Sequence, residues 1–265
     1  MPKVAVAGGE INYEEAGKGP ALIFVSGLSG VGRYWAPQVP AFSARYRTIT
    51  YDQRGTGASD CLQREFSVDQ MAAELAGLMD ALGIESARIV GLSTGGAIGQ
   101  TLAIERPERV ERLAMCSTWT HCDPWFRRLF EARRLMYQQA GSELHAMFHP
   151  LWLYPPDYVN EHDAEIDEER RRNAQAAPPV EVSVGRINGL LAFDRRAGLA
   201  RIKAPTLIIA SDDDYITPCY HAKALARAIP GARLEILRGG GHSISKTRTV
   251  EFNRLVLEFL EPGDR

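Results

Sequence analysis

The run Gly91-Leu92-Ser93-Thr94-Gly95 sets a serine between two glycines, each two residues away. A serine hydroxyl attacks a carbonyl carbon only when it is presented to the substrate and relieved of its proton. The neighbours supply the presentation: the apolar run Ile89-Val90 precedes the turn and a helix-forming segment follows it. A chain that passes from strand to helix so abruptly leaves Ser93 in a strained conformation with its hydroxyl raised. Glycine is needed on both sides, because any side chain there would meet the neighbouring strand and helix. The helix that begins near Thr94 also turns its free N–H groups toward developing negative charge. Glycine-rich turns join strands to helices for structural reasons alone, but a serine in this strand–turn–helix setting reads as a nucleophile. A phosphate-binding loop is the competing reading, and the lysine it requires after the glycines is missing. The spacing G-x-G-x-x-G of a dinucleotide site is also absent here.

Such a serine needs a base, and the base needs a carboxylate to fix its tautomer. Of the six histidines (His121, His145, His149, His162, His221 and His242), His242 alone sits in a glycine-rich loop after the last candidate strand, Gly239-Gly240-Gly241-His242. Glycines there allow the loop to carry an imidazole across to Ser93, whereas the plainer reading is a surface-loop histidine. Carboxylates stand in Ser211-Asp212-Asp213-Asp214-Tyr215-Ile216-Thr217-Pro218, just after an apolar run. Three consecutive aspartates cannot all face one site, so the remainder read as loop or helix-capping residues.

These residues need a frame. Short β-rich apolar runs at 21–25, 47–51, 88–90, 110–116, 206–210 and 234–237 read as buried strands. Helix-period segments at 67–82, 94–105, 219–229 and 249–260 lie among them, the first stopped by Gly83 and the second by Pro107. Such alternation predicts an α/β fold with a mostly parallel sheet covered on both faces. Residues 4–16 read as a small antiparallel hairpin or lead-in strand. From 119 to 203 the alternation stops, and a segment rich in Arg, Glu, Tyr, Trp and Pro carries helical patterns instead. The expected organisation is a core of residues 1–118 and 204–265 with a helical cap at 119–203, because an insertion between two sheet strands commonly covers a site.

With its motifs in place, the chain resembles the α/β-hydrolase superfamily over nearly its full length. Tyr51-Asp52-Gln53-Arg54-Gly55-Thr56-Gly57-Ala58-Ser59 is similar to that superfamily's structural D-x-R-G-x-G-x-S segment. The resemblance implies the chain order Ser, then Asp or Glu, then His. It also implies an acid four residues before the proline, which selects Asp214, with Asp213 as the fallback. The oxyanion hole is then the backbone N–H of Thr94 and that of Leu28 in Ser26-Gly27-Leu28-Ser29-Gly30. Ser26 replaces the histidine usual in that loop, a change that leaves backbone donation intact. Within the superfamily the chain resembles the RutD group of pyrimidine catabolism. The matching residues are Ser26-Gly27-Leu28 with Tyr34-Trp35, the run 51–57, Leu153-Tyr154-Pro155 and Ala210-Ser211-Asp212-Asp213. That group implies hydrolysis of 3-aminoacrylate with release of ammonia, and a dimer. Some of its members lack the elbow serine; this chain keeps Ser93, which favours a covalent acyl-enzyme route. 3-Oxoadipate enol-lactonases and small carboxylesterases share the Ser-Asp-His set. Haloalkane dehalogenases and epoxide hydrolases, which carry Asp at the elbow, do not fit.

Composition narrows the rest. A formal net charge of −2 over 265 residues lacks the concentrated positive field that a nucleic acid or polybasic membrane contact needs. No stretch approaches the ~20 apolar residues of a membrane span, and the N-terminus has no signal-peptide pattern. Four scattered cysteines (Cys61, Cys116, Cys122 and Cys219) fit neither a zinc site nor a disulfide framework. The expectation is a reduced cytoplasmic enzyme with a small-molecule substrate and no metal or organic cofactor. The pairs Arg127-Arg128 and Arg133-Arg134 and the run Arg170-Arg171-Arg172 read as solvated helical faces. Trp119, Trp125, Trp152 and Tyr154 are candidates to line an apolar pocket, and Arg33, Arg128 or Arg186 to bind a substrate carboxylate, with ordinary packing the alternative for each. A ligand receptor without activity, and an acyltransferase or perhydrolase, are the competing functions on this fold.

Overall fold

The computed structural model describes residues 2–60 and 63–261. Among them eight strands form one sheet: β1 Lys3–Val6, β2 Gly9–Ala16, β3 Ala21–Val25, β4 Arg47–Tyr51, β5 Ala87–Leu92, β6 Val110–Cys116, β7 Thr206–Ser211 and β8 Arg233–Leu237. Their spatial order is β1-β2-β4-β3-β5-β6-β7-β8. The β1–β2 and β2–β4 pairs are antiparallel, and every later pairing is parallel. The helices are α1 Val39–Ser43, α2 Val68–Ala81, α3 Thr94–Glu105, α4 Pro124–Leu153, α5 Pro156–Glu161, α6 Asp163–Gln175, α7 Val180–Leu191, α8 Tyr220–Ala228, α9 Ile244–Thr247 and α10 Thr249–Leu260.

The central strands are buried on both faces, which explains why they read as continuous apolar runs rather than alternating ones. Within each, successive side chains go to opposite sides. Ile23 and Val25 join a cluster with α2, α3 and α8, while Leu22 and Phe24 join one with Trp35, Phe42 and the apolar face of α10. A capping box starts α2: the Ser67 hydroxyl accepts from Gln70 N at 3.1 Å, and the Gln70 side chain accepts from Ser67 N at 2.9 Å. α3 is buried along nearly its whole length, which fits its small residues (Gly95, Gly96, Ala97 and Gly99).

The segment between β6 and β7 holds α4 to α7 and is joined to the sheet through packing. Phe126, Phe130, Val182, Ile187 and Leu190 belong to the same cluster as α2 and α3. α4 breaks at Gly141, whose φ of 74° is left-handed. Trp119 is fully buried against Phe126 and Phe193. Trp125 lies on the surface against Tyr215. Cys116, Cys122 and Cys219 are free thiols; Cys61 lies outside the described residues. No helix of the described residues is long and apolar enough to cross a membrane.

Candidate active site

Ser93 stands between the end of β5 and the start of α3 with φ 54° and ψ −115°, a region that costs a non-glycine residue about 1–3 kcal/mol. Its neighbours hold it there. Ser93 N donates to Cys116 O at 2.9 Å, and Thr118 Oγ1 donates to Ser93 O at 2.8 Å. The flanking glycines are there for want of room: a Cβ on Gly91 would lie 2.4 Å from Gly95 O, and one on Gly95 would lie 2.0 Å from Val25 O. Both obstacles are backbone, which cannot rotate aside. Gly95→Ala is therefore expected to destabilise the fold by on the order of 3 kcal/mol, measured by urea denaturation. An unchanged midpoint would show that β3 and α3 are free to separate.

The loop after β7 divides its three aspartates between two tasks. Asp214 is buried and turned to His242, whose Nδ1 lies 2.9 Å from Oδ2 and 3.1 Å from Oδ1. Ile216 N and Thr217 N donate to Asp214 Oδ1 at 2.8 and 2.9 Å, and Thr217 Oγ1 donates to Oδ2 at 2.8 Å. Burial acts to raise the Asp214 carboxyl. The charge and hydrogen bond of His242, with the Thr217 donors, outweigh it and hold the group below the usual carboxylate value. The other two acids hold the opposing loop. Asp212 Oδ1 accepts from Gly239 N at 2.8 Å, and Asp213 accepts from Gly241 N at 2.8 Å and Gly240 N at 3.3 Å. Asp213, the fallback acid, faces the backbone of the His242 loop and makes no hydrogen bond to the imidazole.

Ser93 and His242 line one cavity of about 510 Å³ together with Leu28, Phe130, Arg133 and Tyr154. No hydrogen bond joins Ser93 Oγ to His242 among the described residues; such bonds are often long before substrate arrives. Gly27 brings the Leu28 loop against the serine, its Cβ position 3.4 Å from Ser93 Cβ. The N–H groups of Leu28 and Thr94 have no partner among the described residues. Ser26, which replaces the usual histidine, donates its hydroxyl to Val31 O at 2.7 Å, and its own carbonyl accepts from Gln53 Nε2 at 2.7 Å.

Arg186 takes the packing alternative. It is 1% exposed, and it donates to Leu28 O at 3.0 Å, Gln53 Oε1 at 2.5 Å and Arg54 O at 3.2 Å. It therefore ties α7 to the Leu28 loop and to the start of the Gln53-Arg54-Gly55 turn. Arg33 lines the cavity and donates to Asn173 Oδ1 at 2.8 Å, and Arg128 is exposed. Lys246 bridges α9 to the helical segment, donating to Tyr154 OH at 2.9 Å and pairing with Glu169.

The sequence reading gives no site role to Arg133 and His149, which line this cavity, or to His145, which lines an adjoining space. Arg133 is buried, not solvated as its place in an Arg-Arg pair implies. The signal was present in the helical spacing, since Phe126, Phe130 and Arg133 stand at i, i+4 and i+7 on the stripe of α4 that faces inward.

A strained serine after a central parallel strand, facing a buried Asp–His pair across a covered cavity, is the arrangement of an α/β hydrolase. The chain belongs to the alpha/beta hydrolase fold family, whose model matches residues 20–249, and it is a hydrolase. It is similar to RutD of Azorhizobium caulinodans, named as a carbamate hydrolase, with 36% identity over 98% of each chain. RutD of Caulobacter sp. (strain K31) is 37% identical over 94% of this chain and 95% of that one. Among solved structures, the enol-lactonase from Burkholderia xenovorans LB400 superposes with a TM-score of 0.91 at 29% identity, over 98% of this chain and 99% of that one.

Proposed function

We propose that this chain is a cofactor-independent serine hydrolase that cleaves a small-molecule ester, lactone or carbamate-like C–N bond. The observation that carries the reading is the buried Asp214–His242 pair, 2.9 Å apart, opening on the cavity that holds Ser93. His242 Nε2 takes the Ser93 proton as Oγ bonds to the substrate carbonyl carbon. The N–H groups of Leu28 and Thr94 receive the resulting oxyanion. His242 then returns the proton to the leaving oxygen or nitrogen as its bond to carbon breaks. Water, deprotonated by the same imidazole, attacks the acyl or carbamoyl enzyme, and the acid departs as Ser93 regains its proton. Asp214 keeps Nδ1 as the donor and stabilises the imidazolium.

The names of the RutD relatives favour a carbamate, whose nitrogen leaves from an acyl carbon by this route. The group resemblance favours 3-aminoacrylate, whose C–N bond is vinylic, so its ammonia is lost by addition of water to the imine tautomer and not through an acyl enzyme. The second reading is enol-lactone hydrolysis, favoured by the likeness to the Burkholderia enol-lactonase over nearly the whole chain. Incubation with a fluorophosphonate probe is expected to label Ser93, located by peptide mass spectrometry. A parallel screen of carbamates, enamides, lactones and simple esters should show release of acid or ammonia. Turnover with Ser93 unlabelled would reject the covalent route.

A further inference from the structure

We infer that Arg133 is the receptor for a carboxylate on the substrate, so that this hydrolase acts on acidic rather than neutral small molecules. The inference rests on the reading of Ser93 given above and adds the charge of what it cleaves. Arg133 is 3% exposed and lines the cavity that holds Ser93 and His242, as well as an adjoining space of about 110 Å³. No carboxylate among the described residues pairs with it. Among the described residues its hydrogen bonds run only to His145 Nε2, at 3.4 Å from Nε and 3.3 Å from Nη2, which leaves Nη1 without a partner there. The guanidinium lies 4.8 Å from the ring centroids of both Phe130 and Trp152. These contacts position it without neutralising it.

Of the other cations around the cavity, Arg33 is solvent-exposed and bonded to the neutral Asn173 Oδ1, and the rest are held by partners. Lys246 is paired with Glu169, Arg170 with Asp167 and Arg172 with Glu168. Arg186 is held by three oxygen acceptors. Burial, reinforced by Arg133, holds the His145 ring far below its usual value and His149 down to about 3, so both are neutral near pH 7. Burial lowers Arg133 itself to about 10, which leaves it cationic there. An ionised group in a low-dielectric wall is costly unless an opposite charge joins it. A planar donor set with a free edge favours a carboxylate, which accepts two N–H groups side by side. The cavity thus offers Ser93 and His242 for the reacting carbonyl and an unmatched guanidinium for a second, anionic end.

The test compares monomethyl esters of succinate, glutarate and adipate with the corresponding dimethyl esters, which differ in that one charge. Wild-type enzyme should prefer the monomethyl ester of best-fitting length in kcat/KM. Arg133→Met should lose about 10–100-fold on it, chiefly in KM, while turnover of the dimethyl ester stays within about twofold. Arg133→Lys should recover part of the loss. Dimethyl ester turnover and the melting temperature report whether either variant is folded. Calorimetry on Ser93→Ala with the same pairs reads binding without chemistry, so it separates the two ideas. Failure of wild-type enzyme to cleave any ester would count against the serine route, and the calorimetry would still answer for Arg133. Equal affinity of Ser93→Ala for the charged and neutral esters would overturn the inference. So would an Arg133→Met enzyme that keeps the wild-type preference.

Discussion

Ser93→Ala is expected to lower kcat by about 10⁴–10⁶-fold and to leave KM within about threefold. Ser93 Oγ makes no hydrogen bond among the described residues, so its removal takes away the bond-forming atom and little ground-state binding. What remains is the environment: the Leu28 and Thr94 N–H groups, the Asp214–His242 pair and the cavity that orients the substrate. Alanine inherits the same strained backbone, so the fold should melt within a degree or two of wild type. Ser93→Gly should melt higher than Ser93→Ala, because glycine removes the strain that φ 54° places on a side chain. Rates measured on the best ester or carbamate, with burst kinetics for wild type, check the prediction. A variant that keeps a tenth of the wild-type rate would place the nucleophile elsewhere.

Asp214→Asn is expected to cost about 10⁴ in kcat with the protein fully folded. The hydrogen bonds explain why. Oδ1 receives Ile216 N and Thr217 N, so in the variant this position must stay an oxygen. The amide nitrogen is then forced to the Oδ2 position, 2.9 Å from His242 Nδ1. A donor there requires Nδ1 to accept, which places the proton on Nε2 and removes the base from Ser93. The substitution also alters acid behaviour. Asp214 titrates below its usual value of 3.8 when folded, so the unfolded chain binds its proton first as the pH falls. The stability it contributes is present above the usual value and is lost as the pH drops through the folded one. Asp214→Asn should flatten that part of the stability profile, read from urea midpoints between about pH 5 and about pH 2. Asp213→Asn makes the useful contrast. It should leave the tautomer intact and loosen the 239–241 loop, giving a smaller loss of rate.

The contrast between these acids shows what the sequence does and does not carry. Ser93 is legible because its demands are local: a strand, a turn without room for side chains, and a helix, all within nine residues. His242 is legible through its glycines and its place after the last strand. The choice among Asp212, Asp213 and Asp214 depends on which carboxylates the loop of Gly239 to Gly241 occupies, a contact between segments 27 and 28 residues apart. Local pattern does not encode it. Arg133 is harder still. An arginine beside an arginine on an amphipathic helix reads as solvent-facing, and only the packing of α4 over the sheet turns one of the pair inward. The sheet was legible through its apolar runs. The path of α4 to α7 was not, since helical periodicity gives a buried face without naming what it meets.

Arg186 has a consequence for how such enzymes diversify. Its guanidinium leaves α7 to grip the carbonyl of Leu28 and two groups of the Gln53-Arg54 turn, so α7 is mechanically part of the floor formed by the proposed oxyanion loop as much as of the helical segment it belongs to. Exchanging residues 119–203 for another roof would alter the chamber's shape and also withdraw an anchor from beneath the reaction. A transplant that carries an arginine at the position of Arg186, with Gln53 retained to meet it, keeps that floor level; one without it changes specificity and rate together.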